Sequence, residues 1–159
     1  MRNRWYSASI IVSLYPNFNQ EVMGRVLAID YGQKRVGIAV TDILQITANG
    51  LTTVPVAQIF DFLTNYFATE PVDTVVIGLP KQMNNQLSDS MRFITPFVNG
   101  FKKHFPDTPM VMYDERFTSM LAHQAMIDGG LKKKERQNKA LVDQISATIL
   151  LQSYLESKR

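Results

Sequence analysis

Val26-Leu27-Ala28-Ile29-Asp30-Tyr31-Gly32-Gln33-Lys34-Arg35-Val36-Gly37-Ile38-Ala39-Val40-Thr41-Asp42 is a pair of apolar, β-branched runs with a glycine-bearing turn between them. Val26 to Asp30 and Arg35 to Thr41 read as strands, and Tyr31-Gly32-Gln33-Lys34 as the tight turn of a hairpin. Two antiparallel strands therefore open the fold. The stretch also carries chemistry: an acid, Asp30, closes the first strand, Lys34 and Arg35 follow the turn, and a second acid, Asp42, ends the second strand. Taken alone, an Asp before a glycine is more often a turn residue held by backbone N–H groups. The pattern Asp-x-Gly-x-x-Arg-x-Gly-x-Ala-x-Thr-Asp is longer than a turn requires, and it gathers two carboxylates and a cation around one hairpin. Asp42 either assists the first acid or caps the next turn, the cap being the commoner role.

Downstream, Ile46 to Val54 supplies a third strand that Pro55 ends, before Ile59, Phe60, Leu63 and Phe67 recur at helical spacing. Thr74-Val75-Val76-Ile77-Gly78-Leu79-Pro80 is a nearly continuous apolar run of the kind buried on both faces of a parallel sheet, so it belongs inside the sheet. A polar loop, Lys81 to Ser88, leads to a helix carrying Met91, Ile94, Phe97, Val98 and Phe101. Pro106 and Pro109 bracket a turn into a strand from Met110 to Asp114. Thr118 or Ser119 can cap a short helix with Leu121, Ala122, Ala125 and Met126 on one face, which Gly129-Gly130 stops. Val142, Ile145, Ile149, Leu150 and Tyr154 then mark a last helix of roughly eighteen residues. The expected architecture is α/β: a five-stranded mixed sheet, an antiparallel meander followed by parallel βαβ units, with helices on both faces.

Composition is that of an ordinary globular domain, 45% apolar and 19% charged, which excludes a disordered or collagen-like chain. The formal charge of +3 is too mild to identify a nucleic-acid partner by itself. Its distribution says more, because five basic residues and one acid fall between Leu131 and Lys139. Without cysteine, neither a disulfide scaffold nor a thiolate-held zinc or iron–sulfur site is possible. The apolar stretch from Ala8 to Leu14 is far short of a membrane span, and no small-x-small cleavage site follows it. The expectation is a cytoplasmic protein, without a membrane partner, monomeric or homodimeric. Residues 1–22 are read as a tail ahead of Met23, from an upstream start, and residues 23–159 as one domain.

Three acids stand where such a fold brings them to one sheet edge. Asp30 ends the run Val26 to Ile29, Glu115 follows Val111-Met112-Tyr113-Asp114, and Asp143 lies on the last helix beside the small Ser146 and Ala147, which let a short side chain come close. Together they read as a carboxylate cluster for a divalent metal. Glu115 taken alone would be a surface partner of Arg116 or Lys139. Arg116 divides evenly between a bidentate phosphate clamp and the neutralisation of Asp114.

Four motifs in order, Asp30-Tyr31-Gly32-Gln33-Lys34-Arg35-Val36-Gly37, Val76-Ile77-Gly78-Leu79-Pro80, Asp114-Glu115-Arg116-Phe117-Thr118 and Val142-Asp143-Gln144-Ile145-Ser146-Ala147, resemble one family across Met23 to Ser157. It is the Holliday-junction-resolvase-like pre-16S rRNA nucleases of the ribonuclease H-like superfamily. The resemblance implies a ribonuclease H-like fold and metal-dependent cleavage of phosphodiester bonds in structured nucleic acid, with a role in trimming the 5′ end of pre-16S rRNA during ribosome biogenesis. It carries the catalytic and metal-binding acids over to Asp30, Glu115 and Asp143. Mg²⁺ or Mn²⁺ is the implied cofactor, since Mg²⁺ takes hard oxygen ligands, keeps several waters and needs only a few carboxylates plus substrate oxygens. Two ions roughly 4 Å apart would activate a water and stabilise the leaving oxygen. The chain departs from the family at Asn85, where a glycine usually follows Met83-Asn84, and at Ser146, where the first of two alanines usually stands. Neither change removes a catalytic group.

Lys132, Lys133, Lys134, Arg136 and Lys139 precede the helix of Asp143, and with Lys34, Arg35 and Arg116 they form a basic track for phosphates. In an arbitrary protein the same run would be a solvated loop. His104 and His123 have no ligand pattern around them and read as structural or exposed. Phe60, Phe62, Phe67, Phe93, Phe97 and Phe101 read as core more readily than as a base-stacking platform. Branched DNA is the related substrate reading. A non-catalytic RNA-binding ribosome-assembly factor would keep the basic track without cleavage, and an actin-like ATPase is opposed by the lack of a second phosphate loop.

Overall fold

The computed structural model describes residues 23–79, 89–114 and 124–159. Five strands form one sheet: β1 (Arg25–Tyr31), β2 (Arg35–Thr41), β3 (Ala48–Pro55), β4 (Val72–Leu79) and β5 (Met110–Asp114). Their order is β3-β2-β1-β4-β5, with β1–β2 and β2–β3 antiparallel and β1–β4 and β4–β5 parallel. The expected mixed sheet is the one observed, and its parallel and antiparallel halves meet at β1. The hairpin between β1 and β2 closes with the Gly32 N–H donating to the Arg35 carbonyl at 2.9 Å.

Side-chain alternation gives the sheet two unlike faces. One presents Leu27, Ile29, Val36, Ile38, Val40, Val75 and Ile77 to α1 (Ile59–Thr69) and α2 (Met91–His104), which bury Ile59, Leu63, Ile94, Phe97 and Phe101 against them. The other presents Val26, Ala28, Ala39 and Val76 to a single long helix, α4 (Lys139–Glu156), through Ala147, Leu150, Leu151 and Tyr154. A four-residue helix, α3 (Lys133–Arg136), leads into α4. The second face is smaller in side-chain volume, so the helix on it lies close to the strands. Interiors tolerate few voids, and close approach follows from small residues.

Local chemistry sets the element ends. Asn138 caps α4, its side chain accepting from the Leu141 N–H at 3.3 Å. Residues 124–128 are helical and end in a Schellman turn: Gly130, at φ +75°, donates to the Ile127 carbonyl, and the Leu131 N–H reaches the Met126 carbonyl at 3.1 Å. The stop expected at Gly129-Gly130 is therefore real, while the caps proposed at Thr118 or Ser119 lie outside the described residues. β3 begins at Ala48 rather than at Ile46. The Asp42 carboxylate accepts from the N–H groups of Thr47 at 2.7 Å, Ile46 at 2.9 Å and Leu44 at 3.1 Å, which takes those donors out of the ladder. Asp42 is thus a turn cap. It also stands at the opposite end of β2 from Asp30, which corrects the expectation that both acids gather around one hairpin.

Candidate nuclease site

Because β1, β4 and β5 are parallel, Tyr31, Leu79 and Asp114 end at one edge of the sheet, and the antiparallel β2 starts there with Arg35. In open α/β sheets this carboxyl edge is where ligands bind. Asp30 is half-buried at that edge and pairs directly with Gly37. By strand alternation it points to the side of Val26 and Ala28, the face covered by α4.

Asp143 comes to the same place from the helix. A Cβ added to Gly37 would collide with the Asp143 carbonyl group and stand 3.1 Å from the Gln144 nitrogen, so the α4 backbone rests directly on that glycine. Directly opposed residues of an antiparallel pair hold their Cβ positions about 5 Å apart. Asp30 is therefore one strand spacing from the point where Asp143 touches the sheet, on the same face. Thr53, the partner of Gly37 on β3, donates its hydroxyl to the Ala140 carbonyl at 2.7 Å and fixes the start of the helix. Gly50 repeats the cradle further along, where a Cβ would meet Gln144 Nε2 at 2.6 Å and Thr148 Oγ1 at 3.1 Å. Ser146 and Ala147 were expected to let the helix in. Ala147, on α4 itself, is fully buried against the sheet, but the contact at Asp143 is made by Gly37 on the strand.

Arg35 lies two residues before Gly37, hence on the same face, and its Nε donates to Asp143 Oδ2 at 2.8 Å. Beside this pair opens a cleft of about 250 Å³ lined by Gly32, Gln33, Lys34, Arg35, Lys139 and Asp143. Of the residues assigned to phosphate binding, Lys34, Arg35 and Lys139 thus share one cavity with an acid. Lys132, Lys133 and Lys134 are exposed at and in α3, immediately upstream, and Arg136 is half-buried there. Glu115 and Arg116 lie outside the described residues, as do His123, Pro80 and the loop of Asn85. His104 is exposed, its Nδ1 2.8 Å from the Gly100 carbonyl and its ring stacked on Phe60 at 4.6 Å, a structural role. Sequence reasoning missed Gln33 as a lining residue and Thr53 as the anchor of α4. Neither carries a local signal: Gln33 lines the cleft from the hairpin turn, and Thr53 matters only through the Ala140 carbonyl that α4 brings to it.

The donor set fits a hard divalent cation. Two carboxylates share one face of one edge, and a cationic guanidinium already sits on an Asp143 oxygen, so this position attracts positive charge. Among the described residues no group of three or more His, Cys, Asp or Glu gathers around a common point. A third carboxylate would come from outside them.

The family model RuvX, described as Holliday junction resolvase, matches residues 24–157. A protein of Phocaeicola vulgatus named "Putative pre-16S rRNA nuclease" is 68% identical over 137 residues, covering 86% of this chain and 99% of its own length. Proteins of the same name from Flavobacterium johnsoniae and Porphyromonas gingivalis are 60% and 51% identical, covering 86% and 85% of this chain and 99% and 98% of theirs. Among solved structures, T. thermophilus RuvC in complex with a Holliday junction substrate superposes with a TM-score of 0.50 at 13% identity, over 85% of this chain and 95% of that one. That likeness extends to the fold, which is ribonuclease H-like.

Proposed function

The chain belongs to the RuvX family of Holliday junction resolvases, and from that membership we propose that it is a metal-dependent nuclease that hydrolyses phosphodiester bonds of structured RNA, processing the 5′ end of pre-16S rRNA in ribosome biogenesis. The observation that carries the reading is the seating of Asp143 on Gly37, the direct partner of Asp30. It leaves two carboxylates on one face of the carboxyl edge, beside a basic cleft. Asp30 and Asp143, with Glu115 directly after the last residue of β5, would hold Mg²⁺ or Mn²⁺. Bound there, the cation would supply activation of a water for in-line attack and neutralisation of the leaving oxygen.

The chain's own residues bind and orient. Lys34, Arg35 and Lys139 would hold backbone phosphates in the cleft, and Lys132, Lys133, Lys134 and Arg136 would extend the track, with Arg116 as a clamp near Glu115. Contacts of this kind are sequence-independent and fix register. We take residues 23–159 as the nuclease domain and the cytoplasm as its place of action; no helix among the described residues is long and apolar enough to cross a membrane. Membership of a family of Holliday junction resolvases favours a second substrate, the four-way DNA junction.

One experiment separates these readings. The purified protein is incubated with a pre-16S rRNA transcript, single-stranded oligonucleotides and a four-way DNA junction, with Mg²⁺, Mn²⁺ or EDTA, beside Asp30→Asn. The expected outcome is metal-dependent cleavage of the transcript that the variant lacks. Junction cleavage alone would move the substrate to DNA. RNA binding without cleavage by either protein would identify a non-catalytic assembly factor.

A further inference from the structure

A metal ion and Arg35 ask for the same oxygen. The guanidinium reaches Asp143 from the neighbouring strand through Nε, with the two side chains 37% and 27% exposed, so the bond is wet at its outer side and easily exchanged. Resting on the metal reading above, we propose that Arg35 is a positioning residue: it holds the Asp143 carboxylate until a divalent cation takes Oδ2, and the released guanidinium then turns to a substrate phosphate in the adjoining cleft.

Three features of the site support this exchange. Asp30 and Asp143 carry like charges on one face of the same edge, and like charges at short range destabilise unless a cation offsets them. Arg35 supplies that cation, and its position two residues from Gly37 on β2 keeps it on the required face. The contact engages one of its five N–H donors, leaving the planar fork for the bidentate geometry that phosphate favours. Finally, Arg35 and Asp143 both line the cleft that Lys34 and Lys139 make basic, so the released group has an anion site within reach of its own side chain. The device would couple the two ligands: a phosphate that draws Arg35 away frees Asp143 for metal, and by linkage metal frees Arg35 for phosphate.

The test is calorimetric titration of Mn²⁺, without nucleic acid, into the full chain and into Arg35→Gln and Lys34→Gln. Lys34 lines the same cleft and carries the same charge but makes no bond to Asp143. Arg35→Gln is expected to bind Mn²⁺ tighter than the wild type by on the order of fivefold, and Lys34→Gln by under about twofold. In parallel, Arg35→Gln should melt below the wild type without metal, and saturating Mn²⁺ should close that gap. If the wild type binds Mn²⁺ and Arg35→Gln binds no more tightly than Lys34→Gln, the exchange is overturned while the metal reading stands. If no form binds Mn²⁺, the metal reading falls and the exchange with it. Should Arg35→Gln fail to fold, Arg35→Lys serves instead. It keeps the charge but lacks the Nε–H, so it should bind tighter than wild type by a smaller factor, and unchanged affinity would again overturn the proposal.

Discussion

Gly37 decides whether the site exists. Its missing side chain is the space in which the Asp143 carbonyl lies, and the obstacle a Cβ would meet is helix backbone, which cannot rotate aside. Gly37→Ala should therefore lift the first turns of α4, costing about 3 kcal/mol by chemical denaturation and removing cleavage. Gly50→Ala meets the side chains of Gln144 and Thr148, which can swing away, so about 1 kcal/mol and retained cleavage are expected. Equal losses for the two variants would mean that the close approach at Asp143 has no special part in the site. Asp30 was legible in the sequence because it ends an apolar run before a glycine turn, and Asp143 because it sits on a periodic helix. The contact that unites them was not. A glycine on a strand does not announce which backbone will rest on it, and small residues on the helix, Ser146 and Ala147, drew the eye instead.

Among the elements, the end of β2 away from the site is held by side chains bonded to backbone. Thr41 is buried at 1% exposure, and its hydroxyl accepts from the Val26 N–H at 2.9 Å. Thr41→Val keeps the shape and orphans that donor, so a loss of about 1–3 kcal/mol is expected in urea titration. In the next turn, the N–H of Thr47 foremost, then those of Ile46 and Leu44 with the Thr47 hydroxyl, hold the Asp42 carboxyl below its ordinary value. A depressed carboxyl stabilises the fold above its unfolded pKa of about 3.9, and that contribution is lost as pH falls through the folded value. Asp42→Asn should accordingly lower the urea midpoint at pH 7, with the gap to the wild type narrowing below about pH 4. A gap that stays constant down to pH 2 would show that the charge of Asp42 is irrelevant to the turn. The same bonds explain why β3 starts two residues later than its β-branched pattern suggests. Hydrophobic alternation reports what a residue prefers, while the competing acceptor that removes its N–H from the ladder is a tertiary fact.

Over the described residues, the strands and the longer helices could be read in type and order from periodicity, because each carries its own two- or 3.6-residue pattern, whereas the four-residue α3 is too short and too polar to carry one. The unlike volumes of the two sheet faces were also written in β1 and β2, where Ala28, Gly37 and Ala39 alternate with Leu27, Ile29, Val36 and Ile38. What escaped was the reach of β2: from Arg35 to Thr41 it spans about 20 Å, so it carries Asp42 clear of Asp30. Charge acts at this scale too. If Lys132, Lys133 and Lys134 contact phosphates, the joint substitution of all three by Ala should weaken RNA binding and flatten the slope of log K against log salt by about 2–3. An unchanged slope would make them solvated surface cations with no part in binding. The account as a whole depends on Asp30 and Asp143 serving the same cation. Its most direct test is the rate of pre-16S rRNA cleavage by Asp30→Asn, Asp143→Asn and the double variant, in Mg²⁺ and in EDTA. Each single substitution should cost at least about a hundredfold, and the second should add little to the first, as for groups that act as one unit. Metal-dependent cleavage at wild-type rate by either single variant, or losses that simply multiply, would contradict it.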